Sequence, residues 1–215
     1  MKLFYLLFSL IVFLLLVPFL VAFFFLYLAK IGLSFLAFSP GVVILIIFLM
    51  IIGSFLNIPF GKKNMVQIEE SRFFGLTKKV VWRPQGVSIN VGGALIPLFI
   101  AGYFLSQIPL ESLTIVVLVV AFFSFLGAQF IKERGVLISI ILPVLFSAFF
   151  SVLLAPDYAV EMAFSGGVLG VLLGADILYL PWILRKNSGV MSIGGAGIFD
   201  GIFLVGLFSA IIASI

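Results

Sequence analysis

Long apolar runs, separated by short polar segments, divide this chain into seven stretches. They cover residues 3–29, 41–60, 87–105, 113–131, 136–154, 158–184 and 190–213. About 20 apolar residues is the length that a helix needs to cross the hydrocarbon core of a bilayer. The pattern therefore predicts an all-α polytopic membrane protein with about seven transmembrane helices, in which residues 1–215 form a single transmembrane domain.

The first run follows Lys2, as the apolar core of a secretory signal peptide would. Residues 3–29 are too many for such a core, which has about 7–15 residues, and no small-residue cleavage site follows them. We therefore expect a retained first helix, and its Leu- and Phe-rich, glycine-free sequence favours the lipid-facing edge of the bundle.

The one sizeable polar segment is residues 61–86. Its alternating stretches MVQIE and KKVVW flank Phe73, Phe74 and Gly75, and this pattern predicts a small β-hairpin in a cytoplasmic loop. Two interpretations stay open. The loop is either a solvated connector, anchored by Trp82 and the lysines, or a docking strand for a substrate or partner.

Composition and charge agree with this picture and orient it. The chain is 64% hydrophobic and only 9% charged, whereas soluble domains contain about 25% charged residues. If the N-terminus is cytoplasmic and there are seven helices, every basic residue except Lys30 lies inside. The inside residues are Lys2, Lys62, Lys63, Arg72, Lys78, Lys79, Arg83, Lys132, Arg134, Arg185 and Lys186.

This distribution makes the net charge of +4 a topology signal. We therefore expect membrane lipid as a partner and no nucleic acid, with the C-terminus outside and the cytoplasmic (inner) membrane of a prokaryote as the location. Cysteine and histidine are both absent, which excludes a disulfide framework, a Cys/His zinc site and a histidine-dependent nucleophile. We expect no cofactor and no metal site. The oligomeric state stays open.

Two glycine-rich stretches resemble each other. They are GVSINVGGALIP (86–97) and GVMSIGGAGIFD (189–200), and each follows a basic loop and opens a predicted helix in the same direction. Such helix starts are typical of the broken helices of transporters, whose freed backbone groups bind ions or substrate. This pattern makes Asn90, Gly194, Gly195 and Gly197 candidate binding residues; close helix packing is the alternative.

Asp176 and Asp200 are the only acidic residues deep within predicted spans. An ionisable group at the bilayer centre costs about 2.5–3.5 kcal/mol even on the lenient insertion scale, so both need a reason. Asp176 lies 11 residues before the turn centred on Asn187, and Asp200 lies 13 residues after it. At a helical rise of 1.5 Å per residue, both are roughly 16–20 Å from the turn and are predicted to meet.

Two carboxyls in contact cannot both be ionised, and the pair shares a proton. An aspartic protease uses this arrangement: one carboxylate takes a proton from water while the other acid polarises the peptide carbonyl. The chemistry requires neither histidine nor cysteine nor metal. Asp176 and Asp200 are therefore the candidate catalytic residues.

The stretch GAGIFDGIFLVG (195–206) resembles the catalytic seventh helix of presenilin-type (GxGD) intramembrane aspartyl proteases. The resemblance covers about residues 158–203 and implies a partner Asp at the cytoplasmic end of the sixth helix, where Asp176 lies. The pattern departs from the family at Phe199, which replaces the glycine before Asp200, and at Ala175, which replaces a tyrosine. The family's Pro-Ala-Leu motif is missing, and ALIP, ending at Pro97, is its candidate replacement.

The chain also resembles an uncharacterised prokaryotic family of small polytopic membrane proteins with the signatures NVGGxxIP and GGAGxxDGI. Three functions stay open. The first is an aspartyl protease-like hydrolase that acts on transmembrane peptide substrates. The second is an ion- or proton-coupled transporter or channel that uses the same carboxylates. The third is a structural membrane protein whose Asp side chains bond helix ends or the side chains of Asn90, Ser165 or Tyr179.

Overall fold

A computed structural model describes residues 2–36, 38–72, 77–131, 135–181 and 190–215. The α-helices within these ranges are α1 (Lys2–Phe35), α2 (Pro40–Gly53), α3 (Ile96–Phe104), α4 (Leu110–Gly127), α5 (Ile141–Leu154), α6 (Ala159–Val171) and α7 (Gly201–Ala213). One π-helical turn, Val91–Leu95, leads into α3, and another, Leu172–Ile177, extends α6. Short 3-10 turns, Pro156–Tyr158 and Gly197–Phe199, precede α6 and α7.

Three helical segments are long and apolar enough to cross a membrane: Leu16–Phe35, Leu110–Gly127 and Pro156–Ile177. Four shorter apolar helices accompany them: Pro40–Gly53, Val91–Phe104, Ile141–Leu154 and Gly201–Ala213. A helix of about 14 residues covers roughly 21 Å, less than the roughly 30 Å of a bilayer core. The helical fold is therefore confirmed, with three helices apolar and long enough to cross a membrane, while the count of seven spans stays a prediction.

Helix α6 is the central helix and contacts α3, α4, α5 and α7. Its glycines make these contacts close, because Gly166 and Gly170 lie against the Val116 and Val120 side chains of α4. On its other side, a Cβ added to Gly167 would lie 3.0 Å from the Gly206 Cα of α7. Small residues thus bring the α6 backbone close to both neighbours.

Strands occupy the ends of the predicted spans. β1 (Asn57–Arg72) pairs antiparallel with β2 (Thr77–Asn90), and β5 (Val190–Ile193) adds to β2 in parallel, giving the order β1-β2-β5. A second, two-stranded sheet consists of β3 (Gln129–Ile131) and β4 (Gly135–Leu137). The hairpin predicted within 61–86 is confirmed, but it is longer and belongs to a three-stranded sheet.

Several predicted helix boundaries are therefore wrong. Residues 57–60 and 87–90 are strand because they pair with each other, from Asn57 opposite Asn90 to Phe60 opposite Val87, and α2 already ends at Gly53. Residues 190–193 are also strand, and α7 begins only at Gly201 because Gly194 and Gly197 adopt left-handed φ angles of 71° and 63°. Residues 129–131 and 136–137, which were predicted to be helical, form the second sheet.

Some predictions fall on residues outside the described ranges. These are the hairpin turn at Phe73, Phe74 and Gly75, the turn between the sixth and seventh helices centred on Asn187, and the sixth helix beyond residue 181. The basic residues Lys132, Arg134, Arg185 and Lys186 also lie there. The charge argument for the orientation of the bundle therefore stays a prediction.

Candidate functional site

Asp176 lies in the π-helical turn at the end of α6. Leu178 N–H donates to Leu173 C=O at 3.0 Å, five residues back, which is the wide turn that often marks functional sites in helices. Gly174 holds this turn against α4, because a Cβ there would run into the backbone carbonyl of Ala121. Three residues after Asp176, the Tyr179 hydroxyl contacts the C=O groups of Phe125 and Ala128 at 3.2 and 3.1 Å.

Asp200 is the N-cap of α7. Its Oδ1 accepts the N–H of Ile202 at 3.1 Å, and its Oδ2 accepts the N–H of Ala196 at 3.3 Å. One carboxylate therefore joins the first turn of the helix to the glycine-rich turn that precedes it. The residue before Asp200 is Phe199, and its ring centroid lies 4.6 Å from that of Phe25. This contact packs the turn against α1.

The side chains of Asp176 and Asp200 both line one cavity of about 270 Å³. The remaining lining is mostly apolar or small. It comprises Val136, Leu137, Ile138, Ile140, Val171, Ala175, Met191, Ser192, Gly195, Ala196, Phe199, Gly201 and Leu204. The structure therefore brings the two acids to one cavity, but the predicted equal helical rise is wrong, because residues 190–200 on the Asp200 side are strand and turn.

The two carboxyls are held differently. Asp200 accepts two backbone N–H groups, whereas the Asp176 side chain makes no hydrogen bond to any other residue that the structure describes. Across those described ranges, no third acidic side chain joins the pair to form a cluster of potential metal ligands. The site thus contains one fixed and one unpartnered carboxyl facing a shared cavity.

The other predicted binding residues divide into two groups. Gly195 lines the cavity, but Asn90, Pro97, Gly194 and Gly197 are not part of its lining. The buried Asn90 amide is engaged in three bonds: Oδ1 accepts from Gly93 N–H at 2.8 Å, and Nδ2 donates to Ser54 C=O and Asn57 Oδ1 at 2.8 and 3.1 Å. A binding role for these residues stays a prediction.

Sequence reasoning missed two parts of this region. The first is the wall formed by residues 136–140, which run from β4 to the start of α5 and were predicted to be continuous helix. The second is Ser54, whose Oγ accepts the N–H of Ile198 at 3.2 Å, two residues before Asp200. A serine directly after a glycine at the end of an apolar run carried no local signal of this role.

No curated protein and no solved structure matches this chain. The model of one family, described as protein of unknown function (DUF1614), matches residues 51–212. The match includes Ser54, both glycine-rich stretches and both carboxylates. The presenilin-type resemblance has no support from these comparisons and stays a prediction. Because the match covers most of its length, the chain belongs to the DUF1614 family.

Proposed function

We propose that this protein is an intramembrane aspartyl peptidase in which Asp176 and Asp200 form the catalytic pair. The observation that carries the proposal is that both carboxyls line the same cavity. Aliphatic, aromatic and small residues make up most of the rest of the lining. Two acids in apolar surroundings lower the free energy of unfolding, and an active site is the usual reason for retaining them.

The reaction requires only these two side chains and a water molecule. One carboxylate takes a proton from water while the water oxygen attacks the peptide carbonyl carbon. The other, protonated carboxyl gives its proton to the carbonyl oxygen, so that a gem-diol forms and the pair exchanges roles. A proton then passes from the first acid to the peptide nitrogen, the C–N bond breaks, and a diol proton returns to the pair as the new carboxyl group forms.

The proposed setting is the cytoplasmic membrane of a prokaryote, with seven spans and the N-terminus inside. In support, the connections after α2, α4 and α6 carry ten of the twelve basic residues, as expected of cytoplasmic loops. The short apolar helices can complete the bundle because α6 packs against several of them. The cavity is lined by β4 and β5, which follow the basic connections and lie on the cytoplasmic side of this arrangement.

A cleavage assay tests the proposal. The purified full-length protein is reconstituted in lipid vesicles with a peptide containing one apolar span, and the products are identified by mass spectrometry. We expect cleavage near one end of the span by the wild type, and none by Asp176→Asn or Asp200→Asn. The matched control is Asp157→Asn, which changes an acid in the turn before α6, away from the cavity lining. Equal cleavage by wild type and either cavity variant would rule out the catalytic pair.

Ion- or proton-coupled transport is the second candidate, and the break between β5 and α7 favours it. Here two left-handed glycines and a 3-10 turn interrupt the chain directly before Asp200, as in transporters with discontinuous helices. The same vesicles, loaded with a pH-sensitive dye, provide the measurement. Proton flux that is lost in both Asn variants, without any peptide cleavage, would favour transport over hydrolysis.

A further inference from the structure

The two glycine-rich stretches meet behind the turn that carries Asp200. β2 and β5 run in parallel with Ser88 opposite Ser192, so the stretches that follow them lie side by side. A Cβ added to Gly93 would lie 2.9 Å from the Gly197 Cα and would also run into the carbonyl oxygens of Gly194 and Gly197. The turn before Asp200 therefore packs directly on the backbone of the first stretch.

Ser54, at the C-terminal end of α2, holds this turn from the same side. Its Oγ donates its only proton to Met50 C=O at 2.7 Å, so the hydroxyl can only accept from other groups. It accepts the Ile198 N–H at 3.2 Å. Because the N–H of Asp200 donates to Gly197 C=O at 3.0 Å, a shift of this turn moves Asp200 with it.

Three further polar groups hold Ser54 and the turn together. Asn90 donates to Ser54 C=O at 2.8 Å, and Asn57 Oδ1 accepts both from Asn90 at 3.1 Å and from the Ser192 hydroxyl at 2.5 Å. We name Ser54, Asn57, Asn90 and Ser192 the Ser54 network. It connects the end of α2, the start of β1, the end of β2 and strand β5.

We propose that Ser54 is a positioning residue that orients the Asp200 carboxylate toward Asp176. It bonds the backbone of the turn that precedes Asp200, and it does not line the cavity. The effect on reaction rate rests on the proposed peptidase function, whereas the positioning itself holds for any use of the carboxyl pair. Loss of the hydroxyl leaves the Ile198 N–H without its acceptor and releases the turn from α2.

The test compares Ser54→Ala with Ser147→Ala. Ser147 is buried, whereas Ser54 is half-buried; like Ser54, it donates to a helix carbonyl, that of Ala163 at 2.8 Å, and it is not part of the cavity lining. We expect Ser54→Ala to lower kcat about tenfold or more while KM changes less than about twofold. Ser147→Ala should leave kcat unchanged, although both variants lose a hydroxyl bond and some thermal stability.

A second readout does not depend on cleavage. A hydrophobic carbodiimide forms a stable adduct with carboxyls in apolar surroundings, and mass spectrometry gives its rate at Asp176 and Asp200 separately. We expect Ser54→Ala to be labelled several-fold faster than wild type at Asp200, because the carboxylate is less firmly held by its turn. Ser147→Ala should be labelled at the wild-type rate.

The two readouts separate the two claims. Altered labelling without cleavage by any variant would retain the positioning role and overturn the peptidase. Wild-type kcat and labelling in Ser54→Ala would overturn the positioning role whether or not the protein is a peptidase. If Ser54→Ala does not fold, Asn57→Ala is tested in its place. Asn57 is exposed, and its Oδ1 accepts hydrogen bonds from two members of the network. It should change Asp200 labelling in the same direction, and an unchanged rate would overturn the proposal.

Discussion

Replacing Asp200 by alanine removes the N-cap of α7, and we expect this change to destabilise the protein. The carboxylate accepts the N–H groups of Ile202 and Ala196, and alanine can accept neither. Loss of an N-cap acid costs about 1 kcal/mol, and release of the second N–H raises the expected loss to about 1–2 kcal/mol. Asp200→Asn keeps an oxygen for Ile202, so its loss should stay near about 0.5 kcal/mol.

Replacing Asp176 by alanine should have the opposite effect. Its carboxyl has no hydrogen-bond partner among the described residues and lies beside the apolar Val171 and Ala175 in the cavity wall. Removing a half-buried, unpartnered acid from this apolar wall relieves part of the roughly 2.5 kcal/mol that such a group costs at the bilayer centre. Asp176→Ala should therefore be at least as stable as wild type and yet inactive, as residues retained for function at the expense of stability commonly are.

The assay is unfolding in mixed micelles, with helix content followed by circular dichroism as a denaturing detergent is titrated. The expected order of unfolding free energy is Asp176→Ala at or above wild type, then Asp200→Asn, then Asp200→Ala. If Asp176→Ala is destabilised as much as Asp200→Ala, then Asp176 has a structural partner and the reasoning about an unpartnered acid is wrong.

Three other perturbations have expected outcomes. Gly93→Ala should lower the free energy of unfolding by about 1–3 kcal/mol, because the added Cβ runs into backbone atoms. Gly102→Ala, where the Cβ meets open space on α3, should raise it by up to about 1 kcal/mol. The same detergent titration measures both changes. Gly174→Ala should push the turn that carries Asp176 away from Ala121 and lower kcat. Gly41→Ala is its control: the added Cβ meets open space, so kcat should be unchanged. Treatment with a metal chelator should leave cleavage unchanged, because the proposed chemistry uses only the carboxyl pair and water; loss of cleavage that added metal restores would contradict it.

The sequence predicted the helical segments well where an apolar run is long, because hydrophobicity alone identifies such runs. It failed at the ends of the runs, since short apolar stretches such as residues 57–60 and 190–193 are equally compatible with strand and helix. The deciding contacts are distant ones: Ser88 pairs with Ser192 across the sheet. A local pattern contains no information about such pairing.

The candidate site shows the same division. Asp176 and Asp200 both line the cavity, as predicted, but the count of helical rise behind that prediction was wrong for Asp200, because residues 190–200 are strand and turn. The role of Ser54 depends on a hydrogen bond to Ile198, 144 residues away. The wall at residues 136–140 depends on β4, which lay inside a run predicted to be a single helix. These features required the three-dimensional fold.

The central claim, that Asp176 and Asp200 act as one catalytic unit, is tested most directly by a double-mutant cycle on cleavage rate. Peptide cleavage in vesicles is measured for wild type, Asp176→Asn, Asp200→Asn and the double variant. Two acids that share one proton are expected to be strongly non-additive, so each single variant should fall to the background rate and the double variant no lower. Cleavage that persists in either single variant, or losses that add in the double variant, would contradict the account.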